Sequence, residues 1–315
     1  MNINYTPENT FIFSFVRMNP PTPGHMSLIE TMINKAADLG SNKVYIITSS
    51  SLDGKNPLPC SADAVPKPKN KTDASIVAQF QQNLIYKSSV LNNMITSYKQ
   101  QLIDSSSDAS YKSKIENINV IVVCSVGSPF SFIYELVKRD FIDKGTDKIN
   151  MFFIVGRDRA DFLDTIVDTF KTKNYINSVS GLVLPREGME TLKNSGLGKR
   201  SISDISQSEY SASFVRNLVK NNQRDDFERV YERYLSPTEI EKLYVTIKNG
   251  MLLKQPPSKV EDENPQSEYY DGNKLPVMGP SSGGKTRFKY TRKQRKSKRK
   301  KTKRHHIKRQ TKKYK

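Results

Sequence analysis

The 315-residue chain carries 51 Lys and Arg against 32 Asp and Glu, a formal charge of +19, with three His and two Cys. No apolar run of transmembrane length and no secretory leader is present, so a soluble, intracellular protein without a membrane role is expected. Cys60 and Cys124 lie far apart in sequence, which points to a reducing compartment, and so few Cys and His exclude a metal-ligand cluster.

The run Phe11–Val16 is short, apolar and rich in aromatics, as expected of a parallel strand buried on both faces. A Pro/Gly cluster breaks it, and Met26, Ile29, Met32, Ile33 and Ala36 then recur at helical spacing, with Gly40 as the stop. Between them sits His25, the only histidine in the first 304 residues. In the first turn of a helix, amide hydrogens and the positive dipole end make an anion site. Gly24 allows close backbone approach, Thr22 adds a hydroxyl, and His25 adds a donor that titrates near neutral pH.

Val44–Thr48 reads as a second strand, followed by a polar insert over 49–73 and a long amphipathic helix through Phe80, Leu84, Leu91, Ile95 and Tyr98. Val120–Val123 is a third strand, ended by Cys124, which reads as a buried small hydrophobe. A helix capped by Ser128 with Pro129 at its first position follows, and Met151–Val155 and Leu182–Leu184 complete five strands. Strands separated by helices predict an α/β fold with a doubly wound, five-stranded parallel sheet. Such sheets bind ligands beyond the carboxyl ends of the strands, where the strand order reverses.

In Tyr210–Arg216, Ser211 or Ser213 can cap a helix carrying Phe214, Val215, Leu218 and Val219, while Arg216 offers a planar fork for phosphate. Ser236-Pro237-Thr238-Glu239 is a capping box, and Ile240, Leu243, Tyr244 and Ile247 form a buried stripe up to Gly250. Residues 1–253 thus make one body. Residues 254–284, rich in Pro, Gly, Ser and acidic side chains, read as a flexible linker. Across its end, Gly279–Thr286 satisfies GxxxxGK[ST], but it has neither the buried strand nor the packed helix that a phosphate loop needs. From Lys285 to Lys315 there are 18 basic residues and no acidic ones, leaving 33 basic against all 32 acidic residues before it. This tail is expected to be disordered until it meets a polyanion such as nucleic acid, or to serve in nuclear targeting.

Asn19-Pro20-Pro21-Thr22-Pro23-Gly24-His25 resembles the (H/T)xGH signature of the nucleotidylyltransferase superfamily, which includes nicotinamide mononucleotide adenylyltransferases and cytidylyltransferases. Tyr210-Ser211-Ala212-Ser213-Phe214-Val215-Arg216 resembles its ISSTxxR signature, Val155-Gly156-Arg157-Asp158 its GxD turn, and Lys55-Asn56-Pro57-Leu58 a loop of phage and large-DNA-virus members. Tails of this kind likewise resemble those on large-DNA-virus proteins, which implies a host cytoplasmic or virion location. Two departures stand out: Val16 where the family usually has Gly, and Tyr-Ser-Ala-Ser in place of Ile-Ser-Ser-Thr.

The resemblance implies a Rossmann-like nucleotidylyltransferase fold and transfer of a nucleotidyl group from ATP or CTP to a phosphate-bearing acceptor, with release of pyrophosphate. His25 and Thr22 would hold the α-phosphate region, beside Gly24. Ser211, Ser213 and Arg216 would hold the outer phosphates, screened by Mg²⁺. Asp158, after Gly156, would touch nucleoside or acceptor, and Lys55 and Arg186 are further phosphate candidates. The alternative is a nucleic-acid-binding or packaging protein on a degenerate form of this fold, with Phe288, Tyr290 and Tyr314 of the tail available for stacking.

Overall fold

A computed structural model describes residues 5–65, 78, 80, 81, 84–184 and 210–253, all within one unit, Met1–Glu261. Arg186, the linker with its GxxxxGK[ST] segment, and the basic tail lie outside the described residues. Five strands, β1 Thr10–Val16, β2 Lys43–Ser49, β3 Asn119–Ser125, β4 Ile149–Gly156 and β5 Ile176–Leu184, form one sheet in the order β3-β2-β1-β4-β5. Every pairing is parallel, as expected for strands joined by helical crossovers.

Strand alternation divides the core into two layers. On one face, Ile12, Val44, Ile46 and Ile154 pack with helices α1 (Met26–Asp38), α2 (Lys87–Ser105) and the C-terminal helices described below. On the other, Phe11, Phe13, Tyr45, Ile47, Phe153 and Val155 meet Ile133, Leu136 and Val137 of α4 (Pro129–Asp140) and Ile166 and Phe170 of α5 (Ala160–Phe170). The remaining helices are α3 (Ala109–Asn117), α6 (Ala212–Lys220), α7 (Arg224–Tyr231) and α8 (Pro237–Met251).

Each predicted strand is present; β1, β2 and β4 are largely buried, whereas β3 is half-buried and Leu182 of β5 is exposed. Gly40 closes α1 at φ +66°, with the Ser41 amide donating to the Ala36 carbonyl at 2.9 Å. The Ser236–Glu239 capping box opens α8, and Ile240, Leu243, Tyr244 and Ile247 are buried.

Two elements differ from expectation. The long helix begins at Lys87, so Phe80 and Leu84 are not part of it. Its first amides are satisfied from outside, Lys87 donating to the Pro59 carbonyl (2.8 Å) and Ser88 to that of Cys60 (3.3 Å), while Tyr86 is extended. Strand β5 starts at Ile176 rather than Leu182, because this edge strand carries Asn177, Ser178 and Ser180 where no apolar run announces it. Helices α3, α5 and α7 are short connectors that the strand-centred reading leaves unassigned.

The cysteines require a further correction. Cys60 and Cys124 are joined by a disulfide across 64 residues of sequence, which removes the cysteine argument for a reducing compartment. Closing a loop of this length constrains the unfolded chain by about 4 kcal/mol. The bond fastens the insert after β2 to the end of β3. None of the described helices is long and apolar enough to cross a membrane.

The insert also packs against α8. A Cβ on Gly250 would lie 2.0 Å from the Pro57 carbonyl oxygen, so only glycine allows this approach. Gly→Ala inside a free helix stabilises by about 1 kcal/mol. Here Gly250→Ala is expected to destabilise by roughly 1–3 kcal/mol through overpacking, read as a lower urea midpoint at unchanged slope. A raised midpoint would show that α8 does not press on the insert.

Candidate functional site

The sheet opens where its strand order reverses. β1 pairs with β2 out to Val16↔Thr48, and β4 with β5 out to Gly156↔Leu184, but the β1–β4 register runs only from Thr10↔Asn150 to Phe13↔Phe153. Beyond Phe13 and Phe153 the two central strands part, leaving a crevice at their carboxyl ends.

One wall of this crevice is the segment from Arg17 to His25. It contains a cis Asn19–Pro20 bond and Met18 at φ +40°, a left-handed conformation that a methionine rarely adopts. Pro20, Pro21 and Pro23 have no amide hydrogens, so among the described residues the segment's backbone braces itself only through the His25 amide, which donates to the Thr22 carbonyl at 2.9 Å. Other parts of the chain do the rest. The Asn19 side chain donates to the Leu58 carbonyl and accepts from the Leu58 amide, both at 2.9 Å. Tyr231 in α7 donates its phenol to the Pro21 carbonyl at 2.6 Å, and complete burial raises its pKa, so it remains a donor.

Pro23–His25 form one 3-10 turn, and His25 is the N-cap of α1, one step earlier than the helical position expected. The Thr22 amide donates to His25 Nδ1 at 3.0 Å. Nδ1 is therefore an acceptor, which assigns the imidazole proton to Nε2 and leaves His25 a neutral donor there. The Thr22 hydroxyl lies 2.9 Å from the same Nδ1 and donates to the Tyr210 carbonyl at 2.6 Å. Thr22 is fully buried. Its geometry suits it to orient His25 and to fasten the turn to the second signature segment.

That second segment arrives 188 residues later. Ser211 caps α6, its hydroxyl accepting from the Phe214 amide at 3.1 Å, which decides between the two capping candidates. Ser213 instead accepts from Arg216 Nη2 at 3.0 Å, while Arg216 Nη1 donates to the Asn19 carbonyl. Burial first, then the nearby Arg17, lower the Arg216 pKa, and Asp53 acts in the opposite direction. The structure thus brings Thr22, Gly24, His25, Ser211, Ser213 and Arg216 together. Gly156 ends β4 on the far side of the opening, and Asp158 lies in the 3-10 turn Arg157–Arg159 that follows. Lys55 is exposed on the insert loop, three residues from the Leu58 clamp.

Three residues of this site escaped the sequence reading. Arg17 is exposed at the end of β1, and its carbonyl accepts from Lys87 Nζ at 3.1 Å. Lys87 also donates to the Ser49 carbonyl at the end of β2, and it is completely buried. Asn19 stood in plain view within the first motif, but only its long-range bonds reveal its work. Arg17 acts on both Lys87 and Arg216 and so gathers basic groups at the strand ends, with Asp53 as the acid acting on Arg216.

A surface cavity lined by Asn93, Ser97, Tyr234 and Glu239 lies elsewhere, between α2 and the turn before α8, and shares no residue with the crevice. No protein-family model, curated protein or solved structure matches the chain.

The Thr22 hydroxyl is a test of the junction. Thr22→Val keeps the shape but removes the buried hydrogen bond to the Tyr210 carbonyl, a loss of about 0.5–1.5 kcal/mol. A destabilisation in this range by chemical denaturation is expected. A change within error of zero would mean that the contact does not hold the two segments together.

Proposed function

We propose that the chain transfers a nucleotidyl group from a nucleoside triphosphate, ATP or CTP, to a phosphate-bearing small acceptor and releases pyrophosphate. One observation carries this reading: two phosphate-suited segments, remote in sequence, converge beside a split parallel sheet through Thr22–Tyr210 and Arg216–Asn19. The resemblance of both segments to nucleotidylyltransferase signatures supports it.

The reaction requires no protein nucleophile. An acceptor phosphate oxygen attacks the α-phosphorus in line as the bond to the bridging oxygen of pyrophosphate breaks, and the protein positions both partners and offsets charge. In this reading His25 donates from Nε2 to a nonbridging α-phosphate oxygen, held in place by Thr22. The N-termini of α1 and α6 aim amide hydrogens and dipoles at the phosphates, and Gly24 permits close approach. Arg216, with Ser211 and Ser213 at the same helix end, faces the outer phosphates. Asp158 and Gly156 on the opposite strand would border the nucleoside or acceptor, with Lys55 reaching in from the insert.

Among the described residues no group of three or more His, Cys, Asp or Glu converges to hold a metal ion. Mg²⁺ would therefore enter on the phosphate oxygens of the triphosphate, where it neutralises developing charge. The second reading, a nucleic-acid-binding protein, rests on the 18 basic residues from Lys285 onward. Enzyme and tail are compatible on one chain. Salt-sensitive nucleic-acid binding without any pyrophosphate release would favour the second reading alone.

The deciding assay screens ATP and CTP against nicotinamide mononucleotide, phosphopantetheine, phosphocholine and sugar phosphates while recording pyrophosphate. His25→Ala is expected to fold normally and to lower kcat by on the order of 10²–10³, the cost of losing one preorganised donor. Full activity in the folded variant would remove His25 from the chemistry. Arg216→Ala is expected to weaken triphosphate binding more than acceptor binding, measured by calorimetry for each substrate. Equal losses would reduce Arg216 to a structural bond on Asn19.

A further inference from the structure

Lys87 is the least expected charge in the molecule. It is the first residue of α2 and fully buried, yet its ammonium meets two carbonyl oxygens, of Arg17 and Ser49, rather than a carboxylate. A buried cation without an anion is costly, and folding tolerates it only where other groups repay the loss of water. Two carbonyl dipoles do this in part. They belong to the residue just after β1 and the last residue of β2, so Lys87 ties together the two strand ends beside which the Arg17–His25 segment departs.

The surroundings add positive charge. Arg17 acts on both Lys87 and Arg216, so it lies between the buried lysine and the arginine of the second segment, and Asp53 acts on Arg216. Burial and then Arg17 bring the Lys87 pKa down to about 7. In a site of low dielectric, an added anion would interact strongly with such a charge.

We propose that Lys87 is a positioning residue of the phosphate site: it clamps the ends of β1 and β2 and supplies a buried positive charge that a bound polyphosphate completes, so that anion binding takes up a proton. This rests on the phosphate-site reading above. The direction follows from linkage. A polyphosphate favours charged Lys87, so binding raises its proton affinity. Uptake is then negligible near pH 6, where Lys87 is already protonated, and grows above pH 7. Arg at this position stays charged throughout and takes up nothing.

The test uses the full chain and inorganic tripolyphosphate, by calorimetry in buffers of different ionisation enthalpy, at a salt concentration that suppresses binding to the basic tail. Wild type at pH 8.5 is expected to take up close to one proton more than Lys87→Arg, with no difference at pH 6. The affinity of wild type relative to Lys87→Arg should fall about thirtyfold over that range. Lys87→Met, where it folds, should lose the same uptake and bind more weakly at both pH values. His25 and the tail histidines are common to all three proteins, so their protons cancel. Equal uptake by wild type and Lys87→Arg, with tripolyphosphate bound, would overturn the role of Lys87. If Arg216→Ala binds tripolyphosphate as tightly as wild type, the phosphate site itself is misplaced and the proposal falls with it.

Discussion

The candidate site depends on a backbone that can do little to stabilise itself. Between β1 and α1, three prolines delete amide donors and Met18 adopts a left-handed conformation, so residues 17–25 need partners from outside. They find them in the insert, through Asn19 and Leu58, and in the C-terminal region, through Tyr210, Arg216 and Tyr231. A carbonyl that is buried and unpaired costs about 1–3 kcal/mol, and several such bonds acting together make the turn rigid. In the proposed reaction this rigidity would serve His25, because an imidazole aimed in advance needs no rearrangement when charge develops.

The same bonds explain why so much chain surrounds a small crevice. The insert is fastened by the Cys60–Cys124 disulfide and by the close approach of Pro57 to Gly250, and it carries Leu58 to Asn19. Helices α6 to α8 bury Phe214, Val215, Phe227, Tyr231 and Ile247 against α1 and α2, and so bring Tyr210 and Arg216 to the strand ends. Packing remote from the crevice sets the position of the groups that line it. Arg17 and Arg216 bring positive charge to where the sheet opens, and Lys87, its pKa lowered to about 7, adds to it below that pH.

Local signals carried most of the fold. Phe11–Val16 and Val44–Thr48 are apolar because they are central strands, Gly40 is needed where φ is positive, and the Ser236–Glu239 box announces α8. Where a signal is nonlocal, the reading failed. Edge strand β5 is half exposed and lacks an apolar run, and the start of α2 is set by carbonyls of Pro59 and Cys60 rather than by its own sequence. The pairing of Cys60 with Cys124 depends on how the insert folds back. His25, Ser211 and Arg216 stand out as candidates in the sequence because helix ends and rare residues mark them, and the structure brings them together. Lys87 does not, since a lysine before an apolar stripe looks like any solvated helix start.

The most direct measurement is a long-range proton–nitrogen correlation spectrum of the imidazoles, with three histidines to assign. The account predicts that His25 is neutral with its proton on Nε2. It further predicts that its signals move on addition of Mg²⁺ with ATP or CTP, and that Arg216→Ala diminishes the shift. A His25 protonated on Nδ1, or one whose signals are unmoved by either saturating nucleotide, would contradict the account.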